Sequence, residues 1–170
     1  MHPVNLAQVP PFYHKYIEKV QAATLPEAFE QYKNHLLPFV AAIPEAKWEW
    51  SYAPGKWTIK ESVQHMIDTE RIFAYRALAF ARHDPNPLPG FDENAYTPAS
   101  RANRRSRASM VTELEIVHQS TVALFESFDV EMLAASGVAN GKAMYVEAIG
   151  FIIVGHGLHH LALFKERYLV

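Results

Sequence analysis

"AIGFIIVGHGLHHLALFKERY" (Ala148–Tyr168) is the longest apolar stretch of the chain, yet three of the nine histidines stand inside it. At 100° per residue, Ile149, Ile152, Ile153, Leu163 and Phe164 fall on one stripe of a helix. His156 and His160 lie near the centre of that stripe, one turn apart, and His159 lies on its flank. A helix this apolar buries its stripe, so two imidazoles are carried into the interior, where each polar nitrogen needs a partner. The ordinary outcome is a core histidine with a satisfied hydrogen bond. The i, i+4 spacing offers another, because side chains on adjacent turns of one face can share a metal ion. The glycines, the histidines and the charged flank argue against a membrane span.

Working back from that segment, the same periodicity recurs. "LPEAFEQYKNHLLPFVAAIP" has Pro26 near a helix start and apolar residues at steps of three and four from Leu25 to Ile43. Pro38 is expected to kink this helix and Pro44 to end it. "SYAPGKW" reads as a turn around Pro54-Gly55. In "WTIKE", Thr58 and Glu61 have the spacing of a reciprocal capping box, and the helix behind it runs to about Arg82. A further helix covers roughly 109–127, and after a loop around "ASGVANGK" the last runs from about Ala143 to Arg167. Between the second and third of these helices lies "HDPNPLPGFDENAYTPASRANRRSR". Four of the eleven prolines fall within Pro85–Pro98, so this crossover (83–108) is expected to be irregular. Its aromatic and acidic content suits a functional loop better than a passive linker.

The architecture these elements predict is all-α: a four-helix bundle with a long crossover between helices 2 and 3. Residues 1–170 read as a single domain, with 1–24 as an N-terminal extension or short helix. A chain of 170 residues, 49% hydrophobic and 20% charged, can bury a substantial core. A net charge of −2 provides no general attraction to nucleic acid or anionic membrane. The cluster Arg101, Arg104, Arg105 and Arg107 reads as a solvated or anion-holding patch. There is no cysteine, hence no disulfide, thiolate ligand or thiol nucleophile, which fits a cytoplasmic location. The N-terminus lacks the pattern of a secretory signal.

A metal shared by His156 and His160 needs a third donor, and periodicity alone leaves His65, His35 and His118 in competition. His65 sits about a third of a turn from the apolar stripe of its helix, which centres near Met66, Glu70 and Ala77. Glu70, inside that stripe, reads as paired with an arginine or as set on a pocket wall, and a structural ion pair is the preferred reading. Asp68 and Glu61 are the candidates to orient a His65 ring from behind. Asp92, Glu93, Asn94 and Tyr96 in the crossover are solvated by default, or a roof over a site.

"SYAPGKWTIKESVQHMIDTERIFAYRALAFAR", then "LPGFDENAY", then "GFIIVGHGLHHLALFKERY" together resemble the DinB superfamily, over about residues 25–168. These are four-helix bundles related to YfiT-type metal proteins and to transferases that use mycothiol or bacillithiol. The resemblance implies that the second and third helices run parallel, that the protein forms a homodimer, and that His65, His156 and His160 are the metal ligands. It implies a divalent transition metal, zinc, nickel or iron, and a small-molecule substrate, with a low-molecular-weight thiol as a possible cosubstrate. Three histidine ligands leave coordination positions open, the catalytic pattern. The expected activities are metal-dependent hydrolysis through a bound water or thiol transfer, with no other cofactor and no nucleic-acid or membrane partner. The alternative is a non-catalytic stress-response or interaction protein with a structural or vestigial metal.

Overall fold

Two reciprocal caps begin the two halves of the bundle. The computed structural model describes residues 4–169, which form helices α1 (Pro11–Ile17), α2 (Leu25–Ala42), α3 (Ile59–Ala81), α4 (Glu93–Ser100), α5 (Arg107–Glu126), α6 (Val130–Ala134) and α7 (Val146–Leu163). A short hairpin, β1 (Ser136–Ala139) and β2 (Lys142–Tyr145), precedes α7, whose last residues widen into a π-turn over Phe164–Tyr168. The box ahead of α3 is present: the Glu61 N–H donates to Thr58 Oγ1 at 3.1 Å, and the Thr58 N–H to Glu61 Oε2 at 2.8 Å. An equivalent pair, Thr24 and Glu27, caps α2. That helix continues through Pro38 and stops just before Pro44.

Side-chain ties set the directions. Asn103 bonds Thr58, Lys60 and Glu61, Arg105 bonds Gln64, and His118 meets Glu70. Low numbers therefore pair with low and high with high: α3 and α5 run parallel. The crossover that permits this is more ordered than its prolines suggest. Asp92 accepts from the N–H groups of Asn94 and Ala95 and starts α4. Pro98 lies late in an eight-residue helix, so it removes a single intrahelical bond. The chain then leaves through Arg101 in the left-handed region.

The loop expected around "ASGVANGK" is a hairpin. Asn140 and Gly141 both have positive φ, 51° and 69°, the requirement of the tight turn that Asn-Gly favours. Leu88 of the crossover joins its edge, bonding Val138 O and the Asn140 N–H at 2.9 and 3.0 Å.

α7 is the central element. Over Val146–Tyr168 it is long and apolar enough to cross a bilayer, but 78% of its apolar window is buried inside the protein. α1, α2 and α3 all pack against it. Its glycines make this possible. Gly155 faces the Tyr16 carbonyl of α1, and Gly157 faces the Tyr32 ring and Leu36 of α2, at separations that a Cβ would violate. The N-terminal extension is thus part of the bundle, and α1 forms one wall of the site.

Candidate metal centre

His156 and His160 project from adjacent turns of α7, and α3 brings His65 opposite them. Nε2 of His65 lies 3.1 Å from Nε2 of His156, which lies 3.2 Å from Nε2 of His160. Ligand-capable atoms of all three lie within 4.8 Å of one another. Donors placed about 2.0–2.1 Å from a tetrahedral zinc are separated by about 3.3 Å, so the donor set fits one transition-metal ion. The electrostatics agree. Burial lowers the pKa of His65 to about 4, with His159 adding to the effect and Glu93 opposing it. Burial, then neighbouring imidazoles, holds His156 and His160 well below the ordinary histidine range. Neutral rings at pH 7 present lone pairs.

His65 Nδ1 lies 3.4 Å from Thr69 Oγ1, one turn along α3. If Nδ1–H donates to that hydroxyl, Nε2 is left free as the donor atom. Neither Asp68 nor Glu61 stands behind His65: Asp68 accepts from Gln64 at 2.9 Å, and Glu61 has the capping role that its spacing from Thr58 favours, with Asn103 as its second partner. Tyr16 packs edge-on against His156 and His159, with ring centroids 5.5 and 5.3 Å away. His159 stays on the flank, outside the trio.

The competing histidines are elsewhere. His35 is exposed on α2. His118 is buried 3.1 Å from Glu70 Oε1 and stacked on Tyr32 at 4.0 Å. Glu70 also accepts from the Tyr32 hydroxyl at 3.0 Å, so its partners are a histidine and a tyrosine and not the expected arginine. Within the basic cluster, Arg105 pairs with Glu113 and Gln64, and Arg107 donates to the Ala41 carbonyl at the end of α2. These two arginines tie helices together.

Two hollows open on the trio. One, about 300 Å³, is walled by Phe12, Tyr13 and Tyr16 of α1, Thr69, Phe73 and Arg76 of α3, Phe91 of the crossover, and Lys142 of the hairpin. The other, about 340 Å³, lies towards Trp57, His159, His160 and Tyr168. Tyr16, His65, Glu93 and His156 border both. Tyr13, Tyr16 and Arg76 are absent from the sequence-based candidates because aromatic and basic residues on an amphipathic helix carry no positional signal. Glu93 stands in the crossover quartet, but only the Asp92 cap turns it towards His65.

A family model described as the DinB superfamily matches residues 28–164. A protein of Oceanobacillus iheyensis named "Putative metal-dependent hydrolase" is 27% identical over 169 residues, 96% of this chain and 92% of its own length. A Bacillus cereus protein of the same name is 24% identical over 153 residues, 88% of this chain and 87% of its own. The fold is similar to a solved structure described as "YfiT from Bacillus subtilis is a probable metal-dependent hydrolase with an unusual four-helix bundle topology". The TM-score is 0.63 at 17% identity, with 91% of this chain and 84% of that chain covered. The chain belongs to the DinB superfamily.

Proposed function

We propose that His65, His156 and His160 hold a divalent transition metal, zinc, nickel or iron, and that the protein is a metal-dependent hydrolase of a small molecule. The observation that carries this reading is the convergence of three neutral imidazole nitrogens, 3.1 and 3.2 Å apart, on the border of two hollows. The names of the relatives point the same way. Such a metal supplies Lewis acidity and acidifies a water at neutral pH. The chain's own groups then have separable tasks. Thr69 fixes the His65 ring, Phe12, Phe73 and Ile152 narrow water access, and the Glu93 carboxylate on the shared rim accepts a proton during hydrolysis. The Tyr16 phenol stays protonated, since burial and then Glu93 raise its pKa, and it donates a hydrogen bond to a developing negative charge.

The test uses untagged protein freed of metal and reloaded with zinc, nickel or iron, with p-nitrophenyl acetate and p-nitrophenyl phosphate as probes. Expected are one ion bound per chain, turnover that follows the metal, and background turnover with no bound ion in His156→Ala. Turnover unchanged in that variant overturns the reading. The pair of hollows favours a second reading, transfer of a low-molecular-weight thiol to an electrophile, with one reactant on each side of the metal. The chain has no cysteine, so the thiol is a cosubstrate. Metal-dependent consumption of dithiothreitol with 1-chloro-2,4-dinitrobenzene, absent in His156→Ala, distinguishes transfer from hydrolysis.

A further inference from the structure

Two cationic side chains are buried among the described residues, Lys60 and Arg76, and they are treated differently. Lys60 meets Glu49 at 2.8 Å. Arg76 is 2% exposed and has no carboxylate partner among the described residues. One of its N–H groups donates to the Pro89 carbonyl at 3.1 Å. Arg76 also hydrogen-bonds the Tyr13 hydroxyl, and the guanidinium lies over Phe73, 4.9 Å from the ring centroid, and 6.0 Å from that of Phe91. Aromatic faces soften the cost of burying the charge but do not neutralise it. A guanidinium has five N–H donors, so with a carbonyl and a phenol engaged it still has capacity for an anionic acceptor. Its edge borders the hollow that ends at His65 and His156.

The placement follows from helix periodicity. His65, Thr69, Phe73 and Arg76 are spaced i, i+4, i+8 and i+11 and form one face of α3 along the hollow. From His65 to Arg76 the helix rises about 16 Å. Between these ends Phe12, Tyr13, Phe73, Phe91 and Ile152 supply aromatic and apolar surface, and Asn140 and Lys142 supply polar surface. The one acidic residue of that lining, Glu93, is exposed and forms no ion pair with Arg76 among the described residues.

We infer that Arg76 is the anchor for a carboxylate, and that the substrate is a small, apolar-bodied monoanion held with its acid group on Arg76 and its reacting bond at the histidines. The inference rests on the metal-site reading for the position of the reacting bond only. Lys142, the other cation of the lining, is exposed, so Arg76 is the one buried positive charge there; it balances one negative charge, and the fork of a guanidinium suits a planar carboxylate. The hollow, about 300 Å³, is at the small end of ligand sites, which suits a single ring or a short chain.

The probes are benzoate, benzamide and phenylphosphate, titrated into the full chain both after chelator treatment and after zinc loading. Binding is read by calorimetry and by the Arg76 Nε–H resonance. In metal-free protein, benzoate is expected to bind about tenfold to a hundredfold more tightly than benzamide and to shift that resonance. Phenylphosphate is expected to bind more weakly than benzoate. Arg76→Lys is expected to retain part of the preference and Arg76→Met none, in each case with benzamide binding unchanged. The melting temperature separates this role from that of a mere tether for the crossover, which would alter stability without altering the benzoate preference. Equal affinity for benzoate and benzamide, or an unmoved Arg76 resonance, overturns the inference, and tighter binding of phenylphosphate overturns the carboxylate assignment. Because the decisive arm is free of metal, failure of zinc binding leaves it standing, and its failure leaves the zinc site standing.

Discussion

Among the described residues histidine is buried in two places, and the surroundings differ in a way that separates structure from site. At His118 the imidazole stands between a carboxylate and a backbone carbonyl, Glu70 at 3.1 Å and Phe29 O at 3.4 Å, under the Tyr32 ring. Each polar atom there has a protein partner, and the cluster is closed. At His65, His156 and His160 the imidazoles face one another, nitrogen to nitrogen, with no carboxylate between them and a hollow beside them. An Nε2–H of one ring can serve one neighbouring lone pair, but three rings so placed leave facing lone pairs that a single cation satisfies together. Burial of histidine alone therefore says little, and the identity of the opposing atom says a great deal.

The largest effect expected from breaking this contrast is at the closed cluster. Glu70→Ala leaves an imidazole and a phenol buried without their acceptor, a loss of about 3–5 kcal/mol. For a chain of this size that lowers the melting temperature by roughly 6–20 °C. Zinc stoichiometry, measured on the variant below its melting point, is expected to be unchanged. Loss of the ion would mean that the two clusters act as one unit. The trio should show the reverse pattern. Zinc at a hundred times its dissociation constant stabilises the protein by about 2.7 kcal/mol, an increment that chelation removes. In His156→Ala a thermal scan should show the same melting temperature with and without zinc. A zinc-dependent rise in that variant would place the ion elsewhere.

The sequence shows the members of each cluster more readily than their partners. The Thr58–Glu61 box is local chemistry and appears as read. So is the i, i+4 pair on α7, although the wheel that orients it fails for a physical reason: α7 is enclosed by α1, α2 and α3, so no stripe distinguishes one side from another. His65 looks off-stripe on α3 because it faces the hollow while Met66 and Glu70 face the core. Its place beside the α7 pair came from family resemblance, not from periodicity. The prolines of the crossover conceal α4, whose real signal is the Asp92 cap. The hairpin reads as a loop in the sequence: Asn140-Gly141 is its turn signal, but four-residue strands are too short to show alternation. The Arg76 anchor is a contact between α3 and the first part of the crossover, and nothing in either segment alone points to the other.

The smallest effect sharpens the comparison most, because it tests orientation and not ligation. His118 is aimed by a carboxylate, whereas His65 has only the Thr69 hydroxyl at its Nδ1. Thr69 is 5% exposed, and valine has nearly its shape, so Thr69→Val removes the acceptor with little change in packing. Without that acceptor the Nδ1 proton is buried unpaired, and the ring is free to rotate or to exchange tautomers, which takes Nε2 away from the ion. Losses of this kind lower metal affinity about tenfold to a hundredfold. Competition against a chromophoric zinc chelator measures the change, with Thr69→Ser as the control that keeps the hydroxyl and is expected to keep most of the affinity. Equal zinc affinity in the valine and serine variants would show that α3 packing alone aims His65, and the difference between the two clusters would then lie only in what faces their nitrogens.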